Sequence, residues 1–273
     1  MAEIVGVYGT THNPLLWRAR GDDLAATRAG FERLRVRLAA AKPDAVVVVA
    51  TDHLTQWFYD TMPAFLVGKA PLVPATFWNE EREFGLPYRE LLGDAELGRE
   101  LLGGGIERGV DFAASDAFRA DHSVLLPLLY LTPELEVPVV PVFTNCMAPP
   151  LPSAARFFRV GEVLREALED SPVDRRVAVI ASGHLATEVG GPRHFAGSPS
   201  RAFDERAVEW VASGDVDGAL GELTYERLTE AGNVSHQFLN FLVAMGVAGG
   251  KPALSAEGAV SRFATSPFFE WAP

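Results

Sequence analysis

Six histidines are spread along the 273-residue chain, and three of them, His12, His53 and His184, come just after short apolar runs. Those runs, residues 4–8, 44–50 and 176–181, read as strands, so each histidine sits at the carboxyl end of a strand. His122 lies in Asp121-His122-Ser123 at the start of a short helix, and His236 opens the last helix. In open α/β sheets the carboxyl edge of the strands is where ligands bind. Neutral imidazole is the commonest protein ligand for first-row divalent metals. Two imidazoles and one oxygen donor make the facial arrangement of non-haem iron(II) sites, which leaves positions open for substrate and dioxygen.

The elements that must position these groups follow from the pattern. Residues 44–53, Asp-Ala-Val-Val-Val-Val-Ala-Thr-Asp-His, are apolar on both faces until they end in three polar residues. That is the signature of a central strand covered by helices on both sides. Strands are also expected at 64–67 and 136–143, and amphipathic helices at 22–41, 88–103 and 154–168. Residues 71–87 read as an irregular aromatic loop or hairpin over the crevice. Residues 124–130 read as a short helix with Pro127 in its first turn. The remainder reads as mostly helical, over 200–212, 216–220, 225–231 and 236–245. The fold expected is one α/β domain over 1–273, a largely apolar central sheet flanked by helices with a helical carboxyl-terminal part.

Composition narrows the function classes. A formal net charge of −12 argues against nucleic acid and anionic membrane surfaces as partners, since both demand basic patches. Cys146 is the single cysteine, so an intrachain disulfide and a cysteine-held metal are both excluded. A metal must therefore be held by His, Asp, Glu or an amide oxygen. No stretch approaches the roughly 18 apolar residues of a membrane span, and the amino terminus lacks a secretory signal pattern, so a cytoplasmic protein is expected.

Several motifs in order resemble one family. Thr11-His12-Asn13-Pro14, then Thr51-Asp52-His53-Leu54-Thr55-Gln56-Trp57-Phe58-Tyr59-Asp60 and Asp121-His122-Ser123 with Pro127, are similar to the class III extradiol dioxygenases, the family of the protocatechuate 4,5-dioxygenase β subunit. Ala181-Ser182-Gly183-His184-Leu185, Phe203-Asp204, and Ala231-Gly232 with Phe238-Leu239-Asn240-Phe241 continue the resemblance over about residues 4–247. It implies iron(II), or another divalent metal, held by His12 and His53. It also implies His122 as a substrate-facing group able to hydrogen-bond a phenolate, and a homo-oligomer or a chain paired with a second subunit.

The chain departs from that family's pattern at three positions. Where the family carries a glutamate ligand before the last helix, this chain has Gln237, neutral but isosteric, with His236 beside it. Adjacent residues on a helix point about 100° apart, so only one of the two can face the pocket. Glu188 and Glu230 rank below Gln237 as ligands. Where the family carries its acid/base histidine this chain has Thr187, with His184 three residues earlier. Either His184 has taken over the proton step or the step is lost. Thr51 replaces an asparagine that often stands two before the second iron ligand.

Trp57 and Tyr59, with Thr51 and His236, are candidates to line an aromatic-substrate pocket. His194 reads as a solvated loop residue and Cys146 as a buried, inert thiol. The function expected is an iron(II)-dependent extradiol-type dioxygenase acting on a catechol-like aromatic and dioxygen. The competing readings are a metal-dependent hydrolysis or C–C cleavage on the same scaffold, and a non-catalytic partner subunit.

Overall fold

The computed structural model describes residues 1–195 and 197–273. Its strands in chain order are β1 (Glu3–Thr11), β2 (Ala45–Ala50), β3 (Phe65–Gly68), β4 (Leu72–Ala75), β5 (Arg89–Leu92), β6 (Ala113–Ser115), β7 (Val139–Thr144), β8 (Arg176–Gly183), β9 (Ser255–Val260) and β10 (Thr265–Trp271). Eight form one mixed sheet in the order β6-β3-β7-β2-β8-β1-β10-β9, and β4 pairs with β5 as a separate ribbon. The four central strands, β7, β2, β8 and β1, run parallel. Their carboxyl ends therefore open on one edge.

The helices are α1 (Leu15–Arg18), α2 (Ala25–Ala41), α3 (Trp78–Phe84), α4 (Ala95–Glu107), α5 (His122–Leu131), α6 (Ala154–Asp170), α7 (Arg201–Ser213), α8 (Val216–Glu222), α9 (Tyr225–Ala231) and α10 (Leu239–Val247). Successive side chains of β2 go to opposite faces of the sheet. Val46, Val48 and Ala50 share a core with Phe31, Leu34 and Leu38 of α2 and with Val124 and Leu128 of α5. Ala45, Val47 and Val49 share the other with α4, α6 and α10. All six are buried, which is why the run carries no alternating polar residues. Each fully buried valine contributes about 1.5–3 kcal/mol relative to exposure. On the second face α6 and α10 cross closely: a Cβ on Gly161 would stand 2.1 Å from the Val243 carbonyl oxygen, and one on Gly246 2.2 Å from that of Phe158.

Three expectations from sequence need correction. The carboxyl-terminal part does not end in helices: β9 and β10 form an antiparallel hairpin, and β10 joins the sheet antiparallel to β1. Residues 71–87 take the hairpin alternative, with β4 pairing antiparallel to β5 and α3 between them, and α4 begins at Ala95 because 89–92 form that second strand. Helix α5 begins at His122, capped by the Asp121 carboxylate on the Ser123 amide, so Pro127 falls in its second turn. Among the described residues no helix is long and apolar enough to cross a membrane.

Candidate metal centre

Parallel register sets the first pair of histidines. Thr10 lies beside Ser182 and Thr11 beside Gly183, so His12 and His184 leave β1 and β8 side by side, with ring centroids 4.2 Å apart. His12 is fully buried, and its Nδ1 lies 2.8 Å from Ser182 Oγ. That hydroxyl donates its own hydrogen to the Ser123 carbonyl at 2.6 Å. It can then only accept from His12, which puts the imidazole proton on Nδ1 and leaves a lone pair on Nε2. Burial, followed by the neighbouring His184, His53 and His122, holds the His12 pKa well below its ordinary value, so the ring stays neutral.

His53 stands three residues beyond β2, on a turn built by Asp52. The Asp52 carboxylate accepts from the Thr55 hydroxyl at 2.5 Å and from the amides of Thr55, Gln56 and Trp57 at 3.0, 3.4 and 3.3 Å. These bonds hold Leu54 at a φ of 57°, a left-handed conformation that costs a leucine about 1–2 kcal/mol. The turn aims His53 at Asp121, whose Oδ2 accepts from both the backbone N–H and Nδ1 of His53, each at 2.9 Å. Burial pulls the His53 pKa down, but Asp121, through charge and hydrogen bond, with Asp52 and Glu80 behind it, carries the net shift upward. Burial likewise opposes ionisation of Asp121, yet His53, His122 and Ser123 hold its carboxyl far below the usual range.

His122 is fixed the same way by a residue that sequence reasoning missed. Glu80, almost fully buried on α3, accepts through Oε1 from His122 N–H at 2.7 Å and Nδ1 at 2.6 Å. Its Oε2 accepts from the Phe77 amide at 2.8 Å, the return contact of a helix start. His12, His53 and His122 thus all carry the proton on Nδ1 and offer Nε2. One ring nitrogen from each lies within 4.8 Å of the others.

Gln237 completes this cluster. It lies in a 3-10 turn (Ser235–Phe238) leading into α10, and its side-chain nitrogen is 2.9 Å from His53 Nε2. Gly183 allows that approach, because a Cβ there would meet the Gln237 carbonyl oxygen at 2.4 Å. Two buried polar atoms in the cluster have no partner: His12 Nε2 and Gln237 Oε1. Most buried polar atoms have a hydrogen-bond partner, so two without one in the same cluster call for an explanation. A nitrogen lone pair and an amide oxygen, beside two more imidazoles with outward carboxylates, fit a divalent first-row cation. The family described as the catalytic LigB subunit of aromatic ring-opening dioxygenase matches residues 6–272.

The chain belongs to that family.

Two relatives of this LigB chain share one name. The chain is 29% identical to the 2,3-dihydroxyphenylpropionate/2,3-dihydroxicinnamic acid 1,2-dioxygenase of Burkholderia vietnamiensis, over 91% of this chain and 87% of the relative. It is 36% identical to the protein of the same name from Paraburkholderia xenovorans, over 65% of this chain but only 52% of that one. The crystal structure of the uncharacterized protein JW3007 from Escherichia coli K12 shares the fold, with a TM-score of 0.64 at 16% identity, covering 98% and 99% of the two chains.

A cavity of about 440 Å³ opens above the cluster and is lined by His53, His122, His184, Thr187 and Gln237. Within it, His184 is buried, with Nδ1 3.4 Å from Thr11 Oγ1, and its pKa is pushed down to about 3 by burial and by His53 and His122. The Thr187 hydroxyl is buried without a partner. Glu188 also borders the cavity but is paired with Arg193, and Glu230 is exposed.

His122 faces the cavity as expected, but Thr51, Trp57, Tyr59 and His236 are not among the residues that line it. Thr51 is buried just past the end of β2, bonded to Thr144 at 3.1 Å and Asn240 at 3.3 Å. Trp57 packs on Phe143, and Tyr59 is exposed. His236 turns away from its neighbour Gln237, as the helical spacing requires, and its Nε2 lies 3.2 Å from both the Tyr225 carbonyl and the Thr229 hydroxyl. His194, expected in solvent, lies at the cavity rim, where its Nδ1 accepts from the Gly190 amide at 2.9 Å. Cys146 is buried, as expected.

Proposed function

We propose that this chain is an iron(II)-dependent extradiol-type dioxygenase that opens a catechol-like ring beside its diol. The observation that carries the reading is the convergence of His12, His53 and His122, each tethered through Nδ1, beside Gln237, whose side-chain oxygen is buried without a partner, in a LigB-family chain. In this reading His12 and His53 hold the metal through Nε2, and Gln237 supplies the third donor through its amide oxygen. A half-turn of that amide exchanges its oxygen and nitrogen ends. Bound iron supplies Lewis acidity that lowers the pKa of a catechol hydroxyl, and the redox capacity to engage dioxygen.

The protein's own groups do the rest. His122 offers Nε2 toward the cavity while Glu80 fixes the proton on Nδ1, so it can take a proton from a bound hydroxyl. His184, held neutral, and Thr187 face the same space and hydrogen-bond the oxygens of substrate or product. The partners required are a small aromatic diol and dioxygen. A free buried thiol and a ferrous site both suit a reducing cytoplasm. The test is dioxygen uptake by protein purified without air and loaded with iron(II), across a panel of catechols. Uptake dependent on both iron and catechol is expected. Bound iron without uptake would favour Lewis-acid chemistry on the same scaffold, and failure to bind metal would sink both enzyme readings.

A further inference from the structure

We propose, resting on the ring-cleavage reading, that the cavity selects a catechol whose ring substituent is uncharged and apolar over one that carries a carboxylate. A dry cavity of about 150 Å³ already holds a benzene ring. This one, at about 440 Å³, leaves room for a substituent beyond the ring. Away from the histidine cluster the apolar part of its wall is Leu15, Phe84, Met147, Val189, Val234 and Phe263, with Asn13 and Pro14 beside them. No lysine or arginine is among the described residues that line it, and the two carboxylates that do, Glu83 and Glu188, are acidic.

Arg193, which follows the cavity-lining loop at Glu188 and Val189, is already committed. Arg193 donates Nε to Glu188 Oε2 at 2.6 Å, its backbone N–H to Glu188 Oε1 at 3.0 Å, and Nη1 to the Glu230 carbonyl at 3.1 Å. Its charge neutralises Glu188 rather than serving a ligand. His194 at the rim receives the Gly190 amide on Nδ1 and stacks on Phe195 at 3.9 Å, which leaves only its Nε2 free toward a ligand. A carboxylate moved into this wall would lose its hydration and gain no cation, a costly exchange. An alkyl chain would gain buried area. The relatives' names specify substrates that carry a propionate or cinnamate carboxylate, so the preference would separate this chain from them.

The experiment pairs substrates of nearly equal shape: 3-propylcatechol and the methyl ester of 2,3-dihydroxyphenylpropionate against the free acid, and 4-propylcatechol against 3,4-dihydroxyphenylpropionate. Binding is measured without air by calorimetry on zinc-loaded protein, and kcat/KM on iron-loaded protein. The neutral member is expected to bind at least tenfold tighter, and to turn over with a correspondingly higher kcat/KM. Val189, exposed at the mouth, gives the reciprocal test. Val189→Lys should shift the binding ratio toward the acids by at least fivefold. Equal or tighter binding of the free acids by the unaltered protein would overturn the proposal. Absent turnover with the neutral preference intact in binding would sink the ring-cleavage reading alone.

Discussion

Glu80 Oε1 accepts two hydrogen bonds from the same residue, one from the backbone N–H of His122 at 2.7 Å and one from its Nδ1 at 2.6 Å. The contact fixes both the start of α5 and the ring that faces the cavity. Replacing Glu80 with glutamine keeps the shape but leaves a neutral amide where a carboxylate accepted both bonds. Glu80→Gln is expected to lower kcat about 10–100-fold, the scale on which orienting carboxylates act, with iron content unchanged. Steady-state kinetics with iron quantified on the same sample decides it. Unchanged kcat would remove His122 from proton handling.

Asp121 plays the corresponding part for His53, which must be neutral to ligate. Because Asp121 lifts the His53 pKa above 6.5, a proton competes with metal at and above that value. Iron affinity in the unaltered protein should therefore climb with pH through the region above 6.5. Asp121→Ala removes the carboxylate: affinity at pH 8 should fall about 10–100-fold, and the remaining climb should shift to lower pH. Anaerobic metal titrations at several pH values measure both effects.

Gln237→Glu restores an anionic donor beside His12 and His53. An anionic oxygen attracts a dication more strongly than an amide does, so iron(II) should bind at least about tenfold tighter, or about 1.4 kcal/mol. Competition against a fluorescent chelator reads this directly. Unchanged affinity would place Gln237 outside the coordination sphere.

Much of this was legible in the chain because the strands ending at His12, His53 and His184 carry unbroken apolar runs, and two covered faces demand that. The terminal hairpin was not, because β9 is largely exposed and β10 mixes Pro267 and Glu270 into a buried strand, defeating both the alternating and the continuous pattern. Glu80 was hidden for a related reason. It sits in Asn79-Glu80-Glu81-Arg82-Glu83, which reads as a solvated helical face, and its partner is 42 residues away. The one local clue was a glutamate three residues after Phe77, able to return to that amide. Trp57 and Tyr59 misled because proximity in sequence to His53 says nothing about direction: the turn at Leu54 sends them away from the cavity.

Cys146 gives a check on the packing behind the site. Burial pushes its thiol up to about 11, against an ordinary 9.0, despite hydrogen bonds from Thr51 and Thr144 that pull the other way. The native thiol should resist alkylation at pH 8 and react fully only on unfolding. Between about 9 and 11 the unfolded chain gives up a proton that the folded chain keeps, so this group's contribution to stability falls as pH rises. Cys146→Ala should flatten that part of a denaturant-stability profile. A thiol that reacts promptly in the native protein would show the packing to be wrong.

The most direct test of the ring-opening account is mass analysis of the product formed from a catechol under isotopically labelled dioxygen with iron-loaded protein. The account predicts one ring-opened product, cleaved next to the diol, that carries both atoms of the labelled dioxygen. An unlabelled product, or uptake that yields only oxidised intact rings, would contradict it.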